Sequence, residues 1–378
     1  MRRCKVCLLP DTKPDLWFDD DGICAACLNF RNRPQVDWGK RLEQFREILT
    51  DLRGSGPWDC IVPASGGKDS TYQVLKLIEE GFRPLAVTAT TCDLSPVGQR
   101  NIDNLKKLGV DHIQVSPNPR LRAKLNRFGL EEVGDIAWPE HVGIFTVPVR
   151  IAVALNIPVI IWGENSQNEY GGPESAAEAP TLTRRWLEEF GGLLGLRVSD
   201  LPDSMGVDAR DLELYTYPSD DEIARVGVTG LFLGHYFPWD GMSNALIAQA
   251  NGFETHGRVI EGSVVDYENL DNFQHGIHDY FKFLKFGFGR ATDIASMHIR
   301  RGRMSREQGL EIVRARDGKY PWTYLDKPLE KILEPLELSV AEFDRICDRF
   351  TSRHLFQTDS QGNLVRDRQK NLVLIEED

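Results

Sequence analysis

Ile61-Val62-Pro63-Ala64-Ser65-Gly66-Gly67-Lys68-Asp69-Ser70 is the stretch that decides how this chain is read. A short apolar run enters a turn with two adjacent glycines, and a helical pattern begins at once. Glycines let backbone amides approach an anion without interference from a Cβ. The helix behind them adds the positive end of its dipole. Ser65 and Ser70 can donate hydroxyl hydrogen bonds, Lys68 adds charge, and Asp69 is suited to hold Mg²⁺ on phosphate oxygens. This is not a Walker A loop, because the first glycine is missing and Asp69 stands where Ser or Thr should come after the lysine. A glycine turn that merely caps a helix is the plainer reading, and the full hexapeptide after an apolar strand weighs against it.

Outward from this turn, strands and helices alternate. Residues 59–63, 84–91, 112–116 and 158–162 read as strands, and residues 71–80, 96–108 and 142–155 as helices. Such alternation predicts an α/β fold, a parallel sheet with helices on both faces. Ligands of such sheets sit at the carboxyl ends of the strands. The Ser65–Ser70 turn falls there, and so does Gly163-Glu164-Asn165. Thr88, Ala89 and Thr90 close the second strand and are balanced between lining a nucleotide pocket and being an ordinary strand end. Residues 57–235 are assigned to this phosphate-loop domain, with an irregular insertion or substrate-side lid around 169–218. Residues 31–56 are read as a connecting helix, and 236–378 as a mostly helical substrate or partner region.

Bulk properties narrow the function. The 378 residues are 41% hydrophobic and 27% charged, ordinary for a globular protein. No apolar run approaches the roughly 20 residues needed to cross a bilayer, so no membrane insertion and a cytoplasmic location are expected. The net charge of −12 disfavours nucleic acid as a partner. A small anionic substrate in a pocket fits more easily.

Four of the seven cysteines crowd the first thirty residues. Cys4-x2-Cys7 and Cys24-x2-Cys27, separated by 16 residues, match a four-thiolate zinc pattern. Two such turns close a tetrahedron with no open position, so the zinc would be structural. It would supply folding free energy that a module of residues 1–30 cannot draw from burial. An iron–sulfur cluster or plain buried thiols are the alternatives.

The hexapeptide resembles the Ser-Gly-Gly-x-Asp-Ser signature of the ATP-pyrophosphatase (PP-loop) superfamily, an adenine-nucleotide alpha-hydrolase-like fold. Longer stretches are similar to one branch, the bacterial N-acetyl sugar amidotransferases of surface-polysaccharide (O-antigen) and nonulosonic-acid pathways. These stretches are Cys4 through Pro14, Gly22 through Cys27, Trp162-Gly163-Glu164-Asn165, Glu169-Tyr170-Gly171-Gly172, Asp279-Tyr280 through Thr292, and Ile299 through Arg303. The resemblance implies binding of ATP with Mg²⁺ by Ala64, Ser65, Gly66, Gly67, Lys68, Asp69 and Ser70, with Thr88, Ala89, Thr90 and Gly163 nearby. It implies catalytic roles for Lys68, Asp69, Glu164 and Asn165, although turn chemistry is a competing reading of the last two. The implied reaction turns an N-acetyl group on a sugar or nucleotide sugar into an acetamidino group. Ammonia would come from a separate glutaminase subunit, with a cyclase-like subunit as a companion.

Glu169, Tyr170, Trp239, Asp240, Lys285 and Arg290 are the substrate candidates. Lys285 and Arg290 are the preferred basic pair because glycines and aromatics surround them. Trp239 in a Gly/Pro-rich turn is as readily packing, and about half of the basic residues from Lys282 to Arg303 should be a solvated face. His235, His275, His278 and His298 lack metal spacing and read as ordinary core or surface histidines. Two rival functions remain: a tRNA-thiolating PP-loop enzyme, which would need a sulfur-handling cysteine, and a non-catalytic scaffold.

Overall fold

A computed structural model describes residues 1–33, 35–54, 56–164, 181–182 and 194–375. The chain passes from the cysteine module through α1 (Ala25–Arg31) and α2 (Trp38–Leu52). β1 (Cys60–Pro63) runs through the glycine turn into α3 (Lys68–Glu79), and then come β2 (Pro84–Ala89), α4 (Pro96–Lys107) and β3 (Asp111–Val115). Two long helices, α5 (Pro119–Val133) and α6 (Trp138–Leu155), precede β4 (Val159–Trp162). The two-residue β5 (Thr181–Leu182) and β6 (Thr229–Phe232) complete the sheet.

The strand order is β3-β2-β1-β4-β6-β5. The first five are parallel and the edge strand β5 is antiparallel. The α/β sheet expected from the sequence is therefore present, with β6 and α5 as elements that the pattern did not disclose. Period-two alternation sorts the strand side chains by face. Cys60, Val62, Val159, Ile161 and Leu231 pack with Phe45 and Leu49 of α2 and Val74 and Leu77 of α3. Ile61, Leu85, Val87, Ile160 and Phe232 pack with Val147, Val149 and Ala152 of α6.

This order decides where a ligand can sit. The chain builds outward from β1 to β3 and then returns to place β4 on the other side of β1. The reversal opens a crevice at the carboxyl ends of β1 and β4. Pro63 and Trp162 end there, so the glycine turn and Glu164 face one another across it.

Two expectations change. Residues 31–56 are more than a connector: Phe45 is fully buried and packs on Phe82, Tyr236 and Phe237, a burial worth about 2–3 kcal/mol. Of the lid around 169–218, residues 165–180 and 183–193 lie outside the described residues. Residues 194–218 are packed structure and no lid: Leu201, Leu212 and Tyr215 are buried against Leu125 and Trp138, and Arg122 Nε donates to the Tyr215 hydroxyl at 2.7 Å.

Past residue 236 the chain stays on the sheet for one more helix, α7 (Gly241–Ala250), which packs along α3. A second core then forms around α8 (His275–Phe286), with Ile277, Phe281 and Leu284 against Tyr324, Phe343 and Phe356. α9 (Arg290–Arg300) and α10 (Arg306–Arg316) pack together, and α11 (Val340–Phe350) closes the core. The cysteine module sits on α9 and α10. Leu8 is buried against Ala291, Ala295 and Val313, and Arg306 Nε donates to the carbonyls of Cys4 and Cys7 at 3.3 and 3.2 Å. Among the described residues, no helix is long and apolar enough to cross a membrane.

Candidate active site

The glycine turn owes its shape to what lies behind it. Gly66 has φ +80°, and a Cβ there would meet the Ile102 backbone nitrogen of α4 at 2.6 Å. Gly67 caps α3 in an extended conformation. The helix starts at Lys68, three residues earlier than the apolar pattern indicates, so Lys68, Asp69 and Ser70 occupy its first turn, where backbone N–H groups lack intrahelical acceptors. Ser65 Oγ accepts from Gly67 N at 3.3 Å, and Ser70 Oγ donates to the Gly67 carbonyl at 3.1 Å.

Residues from across the chain close a cavity of about 230 Å³ over this turn. Ser65 to Ser70 and Asn101 form one wall, Glu164 contributes from the end of β4, and Tyr267 to Asp271 with Arg290 form the other. The opposing segment is firmly held. Ser95 N donates to the Asp271 carbonyl at 2.9 Å, and the Asp271 Cα lies 2.6 Å from where a Cβ on Gly98 would sit.

Both signs of charge meet in this cavity. Lys68 is 9% exposed; its Nζ donates to Asp69 Oδ2 at 2.6 Å and lies 3.3 Å from Glu268 Oε1. Asp69 Oδ1 accepts from Asn244 Nδ2 of α7 at 2.9 Å. Arg290 Nη2 donates to Asp279 Oδ1 at 3.1 Å. Burial works to raise the Asp279 pKa, but the Arg290 charge, neighbouring His278 and Lys282 and the Arg290 hydrogen bond together outweigh it and keep the carboxyl below its usual range. Asp271 behaves likewise, with burial opposed by the His275 hydrogen bond. The cavity thus offers backbone amides, two cations and several carboxylates: a place for an anion with a divalent cation.

Other sequence-named residues fall elsewhere. Asn165, Glu169 and Tyr170 lie outside the described residues. The Thr88 hydroxyl donates to the Ala64 carbonyl and contacts His112 Nε2, and the Thr90 hydroxyl donates to the Val115 carbonyl at 3.0 Å. Neither these threonines nor Ala89 line the cavity. Gly163 stands behind it, because a Cβ there would meet Gln73 Nε2 at 2.9 Å and Trp239 at 3.3 Å. Trp239 packs edge-on against Tyr72. Asp240 is held by Arg303 at 2.5 Å and Arg301 at 3.3 Å. Lys285 is separated from Arg290: its Nζ donates to the Val133 carbonyl at 2.6 Å and lies over the Phe350 ring. The aromatics and glycines around Lys285 mark core packing. Tyr267, Glu268, Asp271, Asn101 and Asn244 were not singled out by sequence, which offers no contiguous motif for them.

The four-cysteine pattern closes as expected. All four thiols are buried and their sulfurs lie within 4.8 Å of one another. Cys7 and Cys24 are 3.6 Å apart and Cys4 and Cys27 3.9 Å, close to the edge of about 3.8 Å that zinc–sulfur bonds of about 2.3 Å give a tetrahedron. Backbone N–H groups of Val6 and Cys24 donate to Cys4 Sγ and that of Leu9 to Cys7 Sγ, hydrogen bonds that suit thiolates. The cluster is compatible with zinc. The other cysteines stay out of the cavity: Cys60 and Cys347 are fully buried, and burial pushes the Cys92 thiol up to about 12.

A parallel sheet whose first strand ends in a glycine turn and helix N-terminus at the switch point defines an α/β protein with a cavity suited to an anion. Residues 261–369 match the family described as "LPS biosynthesis protein WbpG-like, C-terminal domain". This domain supplies the second wall of the cavity. An uncharacterized protein of Methanocaldococcus jannaschii is 32% identical over 117 residues, 30% of this chain and 40% of that protein, so the match spans under half of the relative. The solved NMN synthetase from Francisella tularensis aligns over 51% of this chain and 92% of its own at 15% identity, with a TM-score of 0.28.

Proposed function

We propose that this chain is an ATP-dependent, AMP-forming amidotransferase that converts the N-acetyl group of an activated sugar to an acetamidino group in LPS or related surface-polysaccharide biosynthesis. The observation that carries the reading is the shared cavity: the phosphate turn forms one wall and the WbpG-like domain the other. A domain of LPS biosynthesis facing a phosphate site supports an acceptor sugar meeting a nucleotide there.

The chemistry stems from the reluctance of an amide to react with ammonia. In the proposed sequence the acetamido oxygen attacks the α-phosphorus of ATP and pyrophosphate leaves. Ammonia then adds to the imidoyl carbon of the adenylate and sheds a proton, the carbon–oxygen bond breaks so that AMP leaves with the former acetamido oxygen, and the amidine remains. The turn amides and Lys68 would hold the phosphates, with Asp69 and Glu268 offering oxygens to Mg²⁺. Arg290 is placed to meet negative charge from the opposite wall. Positioning and charge stabilisation would supply most of the rate. Ammonia would arrive from a separate glutaminase partner, in the cytoplasm where ATP and nucleotide sugars occur together.

The test is product analysis of the zinc-replete protein with ATP, Mg²⁺, ammonium and a panel of free and nucleotide-linked N-acetyl sugars. The expected result is equimolar AMP and pyrophosphate that depends on one of the sugars, with turnover lower by about 10²–10³ in Lys68→Ala. Formation of ADP, or no sugar-dependent pyrophosphate from any member of the panel, overturns the reading.

A further inference from the structure

α6 and α8 meet outside the cavity through three residues that the proposed reaction leaves unused. Asp135, in the turn between α5 and α6, is 5% exposed. Its Oδ1 is 2.7 Å from His278 Nδ1 of α8, and its Oδ2 is 3.3 Å from His141 Nδ1 of α6. The two rings stand nearly perpendicular, 5.3 Å apart, and about a quarter of each side chain remains exposed. Asp135 is firmly seated, since its N–H donates to the Gly129 carbonyl and its Oδ1 accepts from Ala137 N at 2.9 Å. Among the described residues, this cluster and the four cysteines are the two places where ligand atoms of three or more such side chains converge within 4.8 Å.

We propose that Asp135, His141 and His278 form a second metal site, for a divalent transition-metal ion. Two imidazole nitrogens and a carboxylate suit zinc or its first-row neighbours. Metal–ligand bonds of about 2.0–2.2 Å set neighbouring donor atoms about 3.3 Å apart. His141 already stands at that separation from Asp135, and His278 reaches it by a small side-chain rotation. A divalent cation would also answer the charge of a carboxylate buried between two imidazoles. Lys285, bonded to the Val133 carbonyl, is a nearby basic group. Three protein ligands leave a position for water, and the exposed imidazole edges give solvent access to it. The ion would clamp α8 of the WbpG-like domain onto α6 of the sheet. It would sit beside Asp279, the carboxylate that holds Arg290 at the cavity wall.

Metal counting tests this without reference to any sugar chemistry. The full chain is saturated with zinc, desalted, and analysed by elemental mass spectrometry beside His141→Gln, His278→Gln and the double variant. The expected content falls from about two zinc ions per chain to about one in the double variant. Cobalt substitution separates the sites, because the cysteine site shows an intense thiolate charge-transfer band and a nitrogen–oxygen site does not. That band, unchanged in the variants, certifies that they are folded. One zinc ion in every folded protein, or equal content in wild type and double variant, overturns the proposal and leaves Asp135 as a simple acceptor for two imidazoles.

Discussion

Gly66 shows how sharply single residues are constrained around the cavity. Gly66→Ala would place a Cβ against the α4 backbone at positive φ, so a loss of about 2–4 kcal/mol is expected from urea unfolding. Asp240 yields a pH signature. Burial would raise its pKa, but hydrogen bonds from Arg303 and Ser243 and the Arg301 charge pull it well below the usual carboxylate range. Its contribution is therefore fully present above the unfolded value of about 3.9 and fades as pH falls toward the folded one. Asp240→Asn should be less stable than wild type at neutral pH, and the gap should narrow steadily below about pH 3.9 in acid-unfolding curves. The residues of the phosphate turn were legible because they are contiguous and each has an evident task. Glu268 and Tyr267 were not, since they reach the turn only through the path of the chain. His278 gave no metal spacing because its partners, Asp135 and His141, lie in a distant helix and turn.

At the level of elements, strand identity was largely legible and boundaries were less so. β1, β2 and β4 are short apolar runs bounded by turns, β3 alternates polar residues with Ile113 and Val115, and each appears within a residue or two of its reading. α3 was misplaced at its start because Lys68, Asp69 and Ser70 carry no apolar periodicity; what begins the helix is the Gly67 cap. α5 escaped notice because its inward face spends Arg122 and Asn126 on polar contacts that a hydrophobic pattern cannot register. Arg122, 2% exposed, donates to Tyr215, to Glu140 at 2.9 Å and to the Thr90 carbonyl. Arg122→Met would strand Glu140 in the interior, so it should cost about 3–5 kcal/mol. Adding Glu140→Gln should recover part of that loss, and a four-way comparison of denaturant midpoints measures how much.

For the whole molecule, the domain plan read from sequence divides what packing joins. The cysteine module rests on α9 and α10, which belong to the region that builds the far wall of the cavity. Replacing Cys4 and Cys24 with Ser should therefore do more than unravel thirty residues. The expected loss is on the order of 5 kcal/mol, roughly 6 °C in Tm for a chain this long. Nucleotide affinity measured below the melt should fall with it. An unchanged affinity after this replacement would mean that the module and the cavity are mechanically independent.

The seam between the glycine turn and residues 267–271 has an evolutionary corollary. Neither half forms the cavity alone, so recombination between relatives at any point between the two walls would pair surfaces that never adapted to each other. Changes in ligand preference should accordingly accumulate around Tyr267 to Arg290 while the turn stays as it is. A chimera that borrows a new preference would have to inherit that whole strip together with Gly98, the residue that lets it lie flat against α4.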